Sequence, residues 1–112
     1  MKTVINSEAF LIEIEQEGQV YRMLWGIIGH DETGRWQPGD YVCTTPIQKI
    51  EDLGEGVTRF LTRSGRTYET LGEVGTYKTQ SFQELQLFRM GVSPYHKHIS
   101  DQLGLKIVEI ES

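Results

Sequence analysis

The stretch Gln19-Val20-Tyr21-Arg22-Met23-Leu24-Trp25-Gly26-Ile27-Ile28 limits the possible folds more than any other part of the chain. Side chains alternate between the two faces of an extended strand. Tyr21, Met23, Trp25 and Ile27 fall on one face, and Val20, Leu24 and Ile28 on the other, with Arg22 and Gly26 among them. A strand that is apolar on both faces is covered on both, so it belongs at the centre of a layered domain. Gly26 inside such a run marks a bulge or a close backbone approach.

The neighbouring segments supply partners for this strand. Phe10, Ile12 and Ile14 alternate with Glu13 and Glu15, the pattern of a half-buried strand. Asn6-Ser7-Glu8 carries a competing helix-cap signal, and the isoleucines decide for a strand. After a polar connection over 29–39, with Asp31 and Gly34 at the outer positions of a turn, Asp40 to Thr45 reads as a strand. Pro46 ends that strand or places it at an edge, and 47–53 continues it irregularly. Residues 57–63 and 66–71 form a hairpin around Ser64-Gly65. Either a two-residue turn or a three-residue loop with left-handed Gly65 closes it. The two differ by one residue of register, which decides the side chains that share a face. In the tighter version Leu61 and Tyr68 pair beside Arg59, Arg63 and Arg66.

Helical signals begin at Ser81, an N-cap with Glu84 three residues on. Phe82, Leu85 and Phe88 follow at helical spacing, and Gly91 is a stop. Ser93-Pro94 opens a second helix with Tyr95, Ile99 and Leu103 on one face, and Leu105 to Ile110 reads as a closing strand. The order predicts one α+β domain over 1–112. Its mainly antiparallel sheet, or small partly open β-barrel, carries two short C-terminal helices and a final strand.

Composition narrows the function. Sixteen acidic against eleven basic residues, a net charge of −5, oppose general binding to a phosphate backbone. One cysteine, Cys43, cannot form an internal disulfide, which points to a bacterial cytoplasm. The run from Met23 to Gly29 is too short for a bilayer, and the apolar stretch near Met1 is too brief for a secretory signal, so no membrane is expected. Gly54-Glu55-Gly56 lacks the lysine of a phosphate loop, and no serine elbow or acid–base carboxylate pair stands out. His96 and His98, two apart on a helix, point to different sides and could share a metal only if the segment were extended, which Pro94 and the apolar spacing oppose, so no metal is expected. Neither an enzyme nor a cofactor is expected.

Three sets of residues remain as contact candidates. Arg35 and Trp36 sit in the polar connection, where an aromatic beside an arginine suits a protein contact, or where the indole folds back as a lid on the core. Arg59, Arg63, Arg66 and Tyr68 offer a surface for an acidic partner, or a solvated hairpin face. As an alternative, Gly91-Val92-Ser93 between two helices resembles a helix-turn-helix, with His96, Lys97 and Ser100 toward a DNA groove. Against it stand the negative charge and Lys97 at a position that motif buries. A small-molecule pocket between sheet and helices is a further alternative. Finally, Leu24-Trp25-Gly26, Gly34-Arg35-Trp36, Gly39-Asp40-Tyr41-Val42 and Thr44-Thr45 together resemble a set of small uncharacterised bacterial proteins. These are carried by phages, plasmids or gene cassettes. The resemblance implies an accessory protein of a mobile element and no particular activity. The resulting expectation is a non-enzymatic protein-binding protein, with self-association through a strand edge or the Arg35-Trp36 loop as one form of it.

Overall fold

The computed structural model describes residues 1–79 and 81–93. In chain order its elements are strands β1 (Lys2–Gln16), β2 (Gln19–Asp31), β3 (Tyr41–Gly54), β4 (Val57–Thr62), β5 (Thr67–Leu71) and β6 (Gly75–Lys78), then helix α1 (Phe82–Arg89). The strands make one six-stranded sheet of order β2-β3-β4-β5-β1-β6, in which β1 also pairs with β2. Each step from β1 through β5 is an antiparallel hairpin. Reversing direction at every step leaves β5 running the same way as β1, so those two pair in parallel, Lys2 to Thr67 through Ile5 to Thr70. Farther along the same edge of β1, β6 adds in parallel, Phe10 to Gly75 through Glu13 to Lys78.

These findings correct the expected fold class. One helix, not two, stands among the described residues. The predicted second helix and the closing strand over 105–110 lie outside them. The partly open barrel gives way to a single sheet whose pairings run β1-β2-β3-β4-β5 and return to β1, with β6 outside that cycle. Alternation placed β1 only over 10–15, whereas the strand starts at Lys2. Register shifts between Val4 and Phe10, with Glu8 at φ 47, break the two-residue period there and hid the N-terminal half.

β2 is covered on both faces, as its sequence requires. Leu24 and Ile28 join Ile5, Ala9, Val42, Phe60 and Tyr68 in an inner core. Met23 and Trp25 join Ile12, Ile14, Leu85 and Phe88 in an outer core beneath α1. Gly26 lets two strands meet: a Cβ there would lie 2.6 Å from Ile5 Cγ2. The β4–β5 hairpin takes the three-residue loop, with Gly65 at φ 88, and sets Phe60 opposite Tyr68.

Both ends of α1 are closed. Ser81 Oγ accepts the Glu84 N–H at 3.2 Å. At the other end the Gly91 N–H donates to Phe88 O and the Val92 N–H to Leu87 O, with Gly91 left-handed at φ 102. The sheet also caps the helix. Trp25 Nε1–H donates to Phe88 O and the Tyr41 hydroxyl to Arg89 O, each at 2.9 Å. Among the described residues no helix is long and apolar enough to cross a membrane.

Candidate protein-contact site

The loop between β2 and β3 is organised by one carboxylate. Asp31 accepts the backbone N–H groups of Thr33 (3.1 Å), Arg35 (2.7 Å) and Trp36 (2.8 Å), and the hydroxyls of Thr3 (2.8 Å) and Thr33 (2.7 Å). Desolvation pushes its pKa up, but the bonds from Thr33, Trp36 and Thr3 outweigh that and bring it from 3.8 to about 2. The tether folds Trp36 back onto the inner core, its ring 6.1 Å from that of Tyr68. The Arg35 guanidinium lies 4.4 Å over the outer face of the indole. Trp36 is thus a half-buried lid, and Arg35 is the exposed member of the pair.

The hairpin surface expected from Arg59, Arg63, Arg66 and Tyr68 is divided by the three-residue loop. Tyr68 is only 2 % exposed, inside the core, where burial pushes its hydroxyl pKa up to about 12, so it leaves the contact surface. Arg59 Nη2 is 3.0 Å from Glu69 Oε2, and Lys2 Nζ is 2.9 Å from Glu69 Oε1. The bond from Lys2 pulls the Glu69 pKa down, burial opposes it, and Arg59 adds to the lowering. Arg59 is therefore occupied in holding β5 to β4, and Lys2 in holding β1 to β5. Arg66 is exposed, and Arg63 reaches back to β2, its guanidinium 5.4 Å from the Tyr21 ring. His96, Lys97 and Ser100 lie outside the described residues. Cys43 is half-buried, and burial, against the pull of Arg89, raises its thiol to about 11, a poor nucleophile at neutral pH.

The feature that sequence reasoning missed is a cleft. The β2–β3 ladder shifts register between Met23 and Trp25 and ends where Met23 meets Pro46. At the shift the Thr44 hydroxyl stands in for a backbone partner, accepting the Leu24 N–H at 2.9 Å. Pro46 has no N–H to carry the ladder on. Beyond it the strands diverge. Residues 19–22 of β2 pair only with β1, and 47–54 of β3 only with β4, among the described residues. The two free edges flank a cleft of about 120 Å³ lined by Val20, Tyr21, Arg22, Ile47, Ile50 and Arg63 among others. Pro46 was its signal in the sequence; the divergence of β2 was not legible there.

A larger groove of about 480 Å³ runs along the first half of β3, between Trp36, Tyr41, Cys43, Thr45 and Arg89. Among the described residues no three His, Cys, Asp or Glu side chains gather as metal ligands would. No family model, curated protein or solved structure matches the chain.

Proposed function

We propose that the protein acts by contact rather than catalysis, taking an extended segment of a partner protein as an added strand between β2 and β3. One observation carries this reading: two strand edges without a pairing partner among the described residues face the same cleft. Unpaired N–H and C=O groups along an edge are a template for another strand, and proteins use it for recognition. Natural edges are normally blunted by charge. Lys49, Glu51 and Asp52 do this in part, yet Val20 and Ile50 stay 49 % and 46 % exposed. The cleft is well below the ~300 Å³ at which small-molecule pockets begin, whereas a strand needs edges more than volume. In its cell such a protein would be a cytoplasmic accessory factor, and the sequence pattern around Trp25 and Trp36 supports a mobile-element setting.

The test is amide exchange in the full chain with and without a short peptide of alternating apolar and polar residues. Added protection at the free edges of both β2 and β3 is the expected result, with none from the same peptide interrupted by proline. Protection on neither edge with any extended peptide overturns the reading. A second reading, a small-molecule binder, is favoured by the size of the groove beside Tyr41 and Arg89. Ligand-induced stabilisation in a thermal-shift screen, lost on Tyr41→Ala, would support it.

A further inference from the structure

We infer that the segment taken up in this cleft is acidic, carrying carboxylates beside apolar side chains; the inference rests on the strand-addition reading above. In a chain of net charge −5, the cleft lining among the described residues includes Arg22, Lys49 and Arg63 and no carboxylate. These cations are available in a way that others are not. Lys2 and Arg59 are held close to the buried Glu69, at 2.9 and 3.0 Å. By contrast Arg22 stands 3.6 Å from Glu13 and Lys49 3.9 Å from Glu51, with side chains 50 % and 62 % exposed. Pairs so long and so wet hold little of the cations' hydrogen-bonding capacity. Arg63, from the β4–β5 loop, donates its backbone N–H to Pro46 O of β3 and carries its exposed guanidinium over Tyr21 of β2.

Val20, Ile47 and Ile50 line the same cleft as these charges. An added strand sends alternate side chains to opposite faces. On β2, Val20 and Arg22 share one face while Tyr21, with Arg63 over it, takes the other, so a cation stands on each face of an added strand. A carboxylate satisfies an arginine fork and an ammonium, whereas a lysine in its place adds like charge. Attraction through exposed groups is screened by salt, which separates it from the backbone pairing common to any strand.

The experiment is a fluorescence-anisotropy titration of the full chain with labelled peptides: one alternating valine and glutamate, one alternating valine and lysine, and a glutamate peptide interrupted by proline. At low salt the glutamate peptide should bind about tenfold more tightly than the lysine peptide, with the advantage shrinking as salt is added. Arg63→Glu, at an exposed loop position, should bring the two toward parity while circular dichroism stays that of the wild type. Equal binding of both uninterrupted peptides overturns the acidic preference and leaves strand addition standing. Failure of both to bind, with edge amides unchanged, removes strand addition and the preference together. Slow exchange of the free-edge amides without peptide also overturns the inference, in a monomer because the chain fills its own cleft and in a dimer because a second copy does.

Discussion

The two halves of β3 have different neighbours. From Tyr41 to Pro46 the strand has β2 along one edge, and Val42 and Thr44 are buried. From Ile47 to Gly54 it has, among the described residues, only β4, and most of its residues are exposed. The same strand is thus structural in its first half and available in its second. The difference arises from local chemistry at the junction: a hydroxyl substitutes in the ladder at Thr44, and a residue without an N–H follows at Pro46. Core packing and edge exposure are separated along one strand, so changes on either side of Pro46 should have different consequences.

The largest contrast lies between two directly paired residues, Phe60 and Ile50. Phe60 is 1 % exposed, within the inner core, and Phe60→Ala should cost about 3–5 kcal/mol. Ile50→Ala, at a half-exposed site, should cost about 1 kcal/mol or less. Urea midpoints at unchanged m-value measure both. Equal losses would show that the second half of β3 is part of the core, and the comparison would fail.

Gly26 gives the next effect. Its α-hydrogens face Ile5 Cγ2, where an added Cβ would stand 2.6 Å away. Gly26→Ala should destabilise by about 1–3 kcal/mol through overpacking. The penalty should shrink in an Ile5→Ala background, since the crowding atoms are all in the Ile5 side chain. An undiminished penalty would place the strain in the backbone of β2.

Acid should act through two carboxylates that the folded sheet holds in hydrogen bonds. Asp31 and Glu69 both have lowered pKa values in the folded protein. A lowered folded pKa means that the unfolded chain takes up protons first as pH falls, so these groups stabilise fully above the ordinary carboxylate range. For Asp31 that contribution disappears as pH drops from near 3.8 through about 2. Asp31→Asn and Glu69→Gln should each flatten the acid limb of stability against pH, by less than the Gly26 effect. Arg63→Glu adds a carboxylate on the open side, without buried partners, and should leave that limb nearly as in wild type.

How much of this was legible in the sequence follows the same division. Alternation announced the two-sided burial of β2, and capping signals announced the Ser81 cap and the Gly91 stop, because each depends on neighbours in sequence. Hairpin register was not legible, since Ser64-Gly65 suits two loops, and the choice moved Tyr68 from a surface to the core. The parallel return of β5 and β6 to β1 was equally hidden, as it depends on residues more than sixty apart. For the site, Arg63 was singled out but grouped with the wrong neighbours. Its actual neighbour, Tyr21, lies across a gap that only the divergence of β2 from β3 creates.

The smallest stability change should carry the largest functional one. Ile50→Lys puts a charge at the free edge of β3, the device by which natural sheets keep other strands away. Ile50 is nearly half exposed, so its replacement should shift stability by no more than about 0.5–1 kcal/mol. Backbone groups in the cleft keep their positions but now lie beside an ammonium on a long, hydrated stem. Extended peptides of either charge should lose affinity, measured by anisotropy, because the apolar contact between the two edges is gone. The same substitution type at Val42, in the closed half and only 5 % exposed, should instead prevent stable folding. Full peptide binding by a folded Ile50→Lys protein would mean that the separation along β3 is one of stability only, and that recognition must be sought at the groove beside Tyr41.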